Sequence, residues 1–169
     1  AEDYLKLPAT LRDINISGGE PFMRPDLVQV ITNVVKACPK AKLIISSNGF
    51  ATELIIARMK EILRVVPDIG VSLSIDGVGE KHDEVRRIPN GFNRILKTLE
   101  GLKQIGVARL RIGFTAGDYN IEHLNKVYAL SRELGVEMTL AALHNSEYYF
   151  KITTNKITKI AELKKNSIN

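Results

Sequence analysis

Apolar residues recur along the chain in two alternating rhythms. Short β-branched runs with period two appear at Arg12–Ser17 (RDINIS), Lys42–Ser47 (KLIISS), Gly70–Ile75 (GVSLSI), Arg109–Phe114 (RLRIGF) and Val136–Ala141 (VEMTLA), and they predict five strands. Between them lie stretches of helical period. RPDLVQVITNVVKAC places Pro25 at a first helical position, TELIIARMKEILRVV starts from a Thr52 cap, and GFNRILKTLEGLKQIG closes at Gly106. NIEHLNKVYALSRELG runs from an Asn120 cap to Gly135, and helical period returns in the tail from about Ile157. Strand and helix therefore alternate, which predicts a parallel sheet with right-handed crossovers.

The phase of the polar residues within those strands narrows the architecture. Asn15 and Ser17 share one face of the first strand and Ile14 and Ile16 the other. Ser72, Ser74 and Asp76 oppose Val71, Leu73 and Ile75; Arg111 and Thr115 oppose Leu110, Ile112 and Phe114; Glu137 and Thr139 oppose Val136, Met138 and Leu140. An open doubly wound sheet covers both faces and wants both apolar. One polar face instead predicts a curved parallel sheet with helices on its outer face and a wet cleft inside. In such folds chemistry gathers at the carboxyl ends of strands. Gly18 to Pro21, Ser47-Asn48-Gly49, Asp76-Gly77 and Thr115 all stand there.

Composition adds boundaries. A chain of 169 residues, 44% apolar and 25% charged, suits one globular domain spanning 1–169. No apolar run approaches the roughly 18 residues of a membrane span and no signal sequence opens the chain, so the expectation is a cytoplasmic protein with no membrane partner. The formal charge of +5 is spread over helical segments without interleaved aromatics, which argues against nucleic acid. Cys38 is the only cysteine, at an apparent helix end with no histidine near it in sequence, and reads as a buried structural thiol. His82, His123 and His144 lack i, i+4 pairing and are read as sitting on a loop, near a helix start and beyond the last strand; no metal site is expected from them.

The stretch INISGGEPFMRPDL concentrates the candidate chemistry. Two adjacent glycines at a strand end leave the main chain bare where a ligand can approach it. Pro21 pushes Glu20 toward extended backbone, presenting its carboxylate beyond the strand to solvent. The alternative is a tight strand-to-helix connection with a surface glutamate. Asn48-Gly49 is open in the same way between ligand contact and an ordinary turn, while Asp76 reads as a cap for the segment after it.

SGGEP after one strand, SSNG after the next, SLSIDG after the third and HDEVRR at His82–Arg87 together resemble the radical S-adenosylmethionine (radical SAM) superfamily, in its iron-sulfur oxidoreductase branch, over about Arg12 to Ala142. The resemblance implies an α/β fold, a partial (β/α)6 TIM-like barrel, that binds S-adenosylmethionine against a [4Fe-4S] cluster. It implies a 5'-deoxyadenosyl radical that abstracts hydrogen from a small-molecule or peptide substrate, and an electron donor such as flavodoxin or ferredoxin. It also implies cofactor contacts at Gly18, Gly19, Glu20, Pro21, Asn48 and Ser74, with Arg86 meeting the cofactor carboxylate. Arg87 stands where relatives often carry glycine, and which arginine faces the site is left open.

One feature departs from that family. Its cluster is held by a CxxxCxxC loop upstream of GGEP, and a single thiolate cannot replace three. With Ala rather than Met at position 1, the expectation is a fragment, inactive alone, whose cluster ligands are absent from this chain. The competing expectation is a non-catalytic nucleotide or amino-acid binding module on a degenerate barrel.

Overall fold

The computed structural model describes residues 1–143. The tail expected to be helical from Ile157, and His144, lie outside those residues. In chain order the elements are a 3-10 turn at Glu2–Lys6, β1 (Asp13–Ile16), a 3-10 turn at Pro21–Met23, α1 (Leu27–Ala37), β2 (Lys42–Ser47), α2 (Thr52–Val65), β3 (Gly70–Ser74), α3 (Glu80–Arg86), α4 (Gly91–Gln104), β4 (Arg109–Ala116), a 3-10 turn at Ile121–His123, α5 (Leu124–Glu133) and β5 (Glu137–Ala142). The strands form one sheet in the sequential order β1-β2-β3-β4-β5. β1 and β2 run parallel with Asn15 beside Ile44, and β2 and β3 run parallel with Ser46 beside Ser72. Each predicted strand is present, with ends shifted by at most two residues.

The described chain divides into two compact units, one comprising residues 1–73 and 94–111, the other residues 74–93 and 112 onward. In the first unit the apolar stripes close a dry core. Val30, Ile31 and Val34 of α1, Ile55, Met59 and Ile62 of α2, and Ile95, Leu99 and Leu102 of α4 are all buried, at the three- and four-residue spacing of one helix face. Leu43 and Ile45 of β2 and Val71 and Leu73 of β3 are buried as well. Burying one such side chain fully stabilises by about 1.5–3 kcal/mol before chain entropy is counted. Arg109 ties the amino ends of the strands together, donating from Nε to the Asp68 carbonyl (2.8 Å) and from Nη2 to the Leu43 carbonyl (2.7 Å). In the second unit Ile75, Ile112, Phe114, Ala116, Ile121, Leu124 and Val127 are buried.

Several local expectations are corrected. α1 begins at Leu27, and the proline that opens a turn is Pro21, because its fixed φ suits the first position of the 3-10 turn that Glu20 caps. Thr52 is the first residue of α2 and caps nothing; its hydroxyl lies 2.6 Å from that of Thr98 on α4. Asn120 precedes a 3-10 turn without capping it. The polar phase alternates as expected in β1 and β4, but β3 is buried on both faces from Gly70 to Leu73. Ser72 of the polar phase is buried, and Gly70 is packed so closely that a built Cβ would stand 3.1 Å from the Arg109 carbonyl. In β5 the apolar phase is not covered, and Leu140 is 52% exposed.

Candidate functional site

In the first unit, the chain leaves β1 at Ile16 and passes through Gly18 and Gly19, both exposed, with open space where side chains would stand. Glu20 is extended, as a residue before proline must be, with φ −140° and ψ 107°. Its carboxylate does not point to solvent as expected. Oε1 accepts from the Ser47 hydroxyl (2.9 Å) and from the Phe22 amide (3.3 Å), and Oε2 accepts from the Asn48 amide (2.8 Å). The half-buried carboxylate therefore stitches the end of β1 to the end of β2.

The second strand end is equally determined. Ser47 is buried, and its hydroxyl accepts from the Gly49 amide (3.0 Å) while donating to Glu20. Asn48 turns the chain, its Oδ1 accepting from the Phe50 amide (3.0 Å). Gly49 has φ +75° and lies so close to Ile95 that a Cβ would stand 2.5 Å from it, so glycine is required here twice over. Thr98 donates to the Gly49 carbonyl (2.7 Å). Sequence reasoning placed Ser47 at this strand end but named only Asn48 as a ligand contact; it did not foresee the bond from Ser47 to Glu20, 27 residues away.

The second unit holds a separate polar network. Ser74 is half-exposed at the end of β3. Asp76 follows it and caps no helix, contrary to expectation; the residue before α3 is Gly79. Its carboxylate instead accepts from the Thr115 amide through Oδ1 (3.0 Å) and pairs through Oδ2 with Nη2 of Arg86 (2.6 Å), with the Asp76 side chain only 6% exposed. Asn120 is fully buried and clamps the strand ends, donating from Nδ2 to the carbonyls of Asp76 and Thr115 (3.0 Å each) and accepting from the Gly117 amide (2.8 Å). A charge that is this dry persists only when paired and hydrogen-bonded. Asp76 is both.

His82 lies on α3, not on a loop, because HDEVR forms a helical turn there. It is buried, and its Nδ1 accepts from the Asp76 amide (3.2 Å). Burial first, and the nearby Arg86 charge second, hold its pKa below the usual histidine value. His123 accepts from the Val78 amide (3.1 Å), and burial followed by the Lys126 charge lowers its pKa too. The Tyr119 phenol is shifted up by burial and then by Asp76. The two arginines separate clearly: Arg86 reaches Asp76, while Arg87 is exposed in left-handed backbone at φ 56° and ψ 38°. That geometry suits glycine, so the arginine stands there at a cost in backbone strain.

Among the described residues no group of three or more His, Cys, Asp or Glu could hold a metal ion. Cys38 is buried and its thiol donates to the Pro8 carbonyl (3.3 Å).

A sequence model of the Radical SAM superfamily matches residues 2–131. The chain belongs to that superfamily. Among curated radical SAM relatives, the AdoMet-dependent heme synthase of Methanosarcina barkeri is 32% identical over 121 residues, covering 71% of this chain and 33% of that protein. A probable GTP 3',8-cyclase of Methanococcus maripaludis is 26% identical over 128 residues, covering 74% of this chain and 40% of its own. The chain thus spans about a third of the length of the curated relatives it matches first. A solved structure of TYW1 with a lysine-pyruvate adduct bound aligns with a TM-score of 0.61 at 22% identity, covering 92% of this chain and 48% of that one. The radical SAM chain therefore has the α/β, partial TIM-like barrel fold of parallel strands and helices.

The residues fit the two implied groups differently. For S-adenosylmethionine, Glu20 has about four lone-pair sites, of which three are taken, so Oε2 keeps one acceptor for an ammonium beside bare glycine backbone. For a [4Fe-4S] cluster the chain offers one cysteine, and that one is buried with its thiol donating to the Pro8 carbonyl, so these residues do not hold it.

Proposed function

We propose that the chain is the S-adenosylmethionine-binding part of a radical SAM oxidoreductase acting on a small organic substrate. The observation that carries the reading is the Glu20 site. A carboxylate locked by Ser47, Asn48 and Phe22 beside two glycines with open space is preorganised to receive a cation without rearranging. In this reading Gly18, Gly19, Glu20 and Pro21 receive the methionyl ammonium and Asn48 belongs to the same strand-end site; Ser74 and Arg86 are assigned to the cofactor by the family resemblance alone, Arg86 to a carboxylate. Bound beside a reduced cluster held by residues other than these, the cofactor would take one electron, break its sulfonium C–S bond to give methionine and a 5'-deoxyadenosyl radical, and so supply the means of removing a substrate hydrogen atom. The protein's own residues bind and orient it. Cluster thiolates then come from outside these 169 residues, and flavodoxin or ferredoxin supplies the electron. The relatives named as a heme synthase and a GTP cyclase support a small-molecule substrate and leave its identity open.

The single cysteine favours a second reading, a binding module that takes a nucleotide or amino acid at the same site without radical chemistry. One experiment separates the two. The full-length protein is reconstituted with iron and sulfide, reduced with dithionite and supplied with S-adenosylmethionine, and 5'-deoxyadenosine is measured by mass spectrometry. Stoichiometric iron and 5'-deoxyadenosine are expected. Binding of S-adenosylmethionine with no iron and no cleavage would establish the binding module instead.

A further inference from the structure

The second unit contains an arginine held in place by a carboxylate that is itself held from every side. Asp76 cannot turn: Thr115 donates to Oδ1, His82 takes its amide proton, and Asn120 takes its carbonyl. Its other oxygen grips Nη2 of Arg86 at 2.6 Å. Arg86 is 29% exposed, and its Nε is buried with no hydrogen-bond partner among the described residues. An arginine at the end of a seven-residue helix would ordinarily swing outward to hydrate that N–H. The ion pair prevents this. Asp76 uses one N–H of Nη2, and with Nε buried the donors left for a second acceptor are those of Nη1 and the other N–H of Nη2, held in one plane.

We infer that Asp76 is a positioning residue, anchored by Thr115, His82 and Asn120, which fixes the Arg86 guanidinium to receive a ligand carboxylate at the carboxyl end of β3. This rests on the reading above, in which that ligand is S-adenosylmethionine. A fork held in one orientation binds a carboxylate in two-pronged fashion without ordering a flexible side chain at the moment of binding. Its selectivity follows from the same feature, because a ligand lacking the carboxylate gains nothing from Arg86.

The test compares two ligands rather than two activities. S-adenosylmethionine and decarboxylated S-adenosylmethionine are titrated by calorimetry into the full-length enzyme and its Asp76→Asn, Arg86→Gln and Arg86→Lys variants. The ratio of their dissociation constants isolates the carboxylate. Arg86→Gln is expected to lose the part of the ratio that the guanidinium supplies, and Asp76→Asn to lower it by about three- to tenfold through the freed side chain. The decarboxylated ligand should change less than about twofold. A purely structural Asp76 would weaken both ligands alike and leave the ratio unchanged, which would overturn the inference; a higher ratio would mean that Asp76 merely offsets the arginine charge, and would overturn it too. Where Asp76→Asn does not fold, Arg86→Lys decides: lysine keeps the charge but has no planar fork for Asp76 to orient, so an unchanged ratio there refutes the positioning role. Failure of the wild type to bind either ligand would refute the cofactor reading itself.

Discussion

Replacing Glu20 by glutamine tests whether its carboxylate is a structural junction as well as a ligand group. The variant keeps the shape and one acceptor oxygen. With that oxygen facing Ser47 and Phe22, the new amide group faces the Asn48 N–H across 2.8 Å, and two donors meet. With the amide flipped, Asn48 is served and Phe22 and Ser47 lose their acceptor. Either way a half-buried bond to a charged group is lost, typically worth about 1.5–3 kcal/mol. Urea denaturation without ligand should therefore show a midpoint lower by about 1 M, given a slope of about 1–3 kcal/mol per M. A double-mutant cycle with Ser47→Ala should give a coupling of about 0.5–3 kcal/mol. A destabilisation below about 0.5 kcal/mol, the range of ordinary surface substitutions, would refute the junction and return Glu20 to solvent.

Two more outcomes follow from particular residues. Arg87→Gly relieves left-handed backbone that costs a side chain about 1–2 kcal/mol, partly offset by about 0.5–1 kcal/mol of added freedom in the unfolded chain, so stability should rise by about 0.5–1 kcal/mol; a lower melting temperature would count against it. His82 has a folded pKa below its unfolded value near 6.5, so the folded state takes up fewer protons; stability is full above that value and falls as pH drops toward the folded pKa. His82→Asn keeps an acceptor for the Asp76 amide and removes the titration, so the loss of stability between pH 7.5 and pH 5 should shrink, and identical pH profiles would exclude this role.

Strand positions and the parallel order were legible in the sequence because they rest on local periodicity. Leu43 and Ile45, or Leu110, Ile112 and Phe114, announce a buried face within a few residues. The glycine motif was legible for the same reason: Gly18-Gly19-Glu20-Pro21 is contiguous. What remained hidden were bonds across long separations. Nothing in the run around Asn120 indicates that its amide reaches Asp76, 44 residues earlier, rather than capping the turn beside it. Ser47 and Glu20 are likewise joined only by the fold. Polar residues such as Asp, Asn and Thr satisfy local and distant partners with the same atoms, so local pattern alone assigns them to caps. The burial of Ser72 in β3 and the exposure of Leu140 in β5 run against the local alternation of their strands, so period alone did not give them.

The buried thiol of Cys38 makes this chain its own kinetic gauge. Its sulfur is 1% exposed and bonded to the carbonyl of Pro8, and no second cysteine competes for reagent. A disulfide reagent can reach it only when the segment before β1 lifts away from the end of α1. The labelling rate, set against that of a free cysteine peptide, thus converts into a free energy for that local opening, read separately from global unfolding. In the isolated chain, the Glu20 and Ser47 substitutions of the same unit can be followed by this signal without adding a probe.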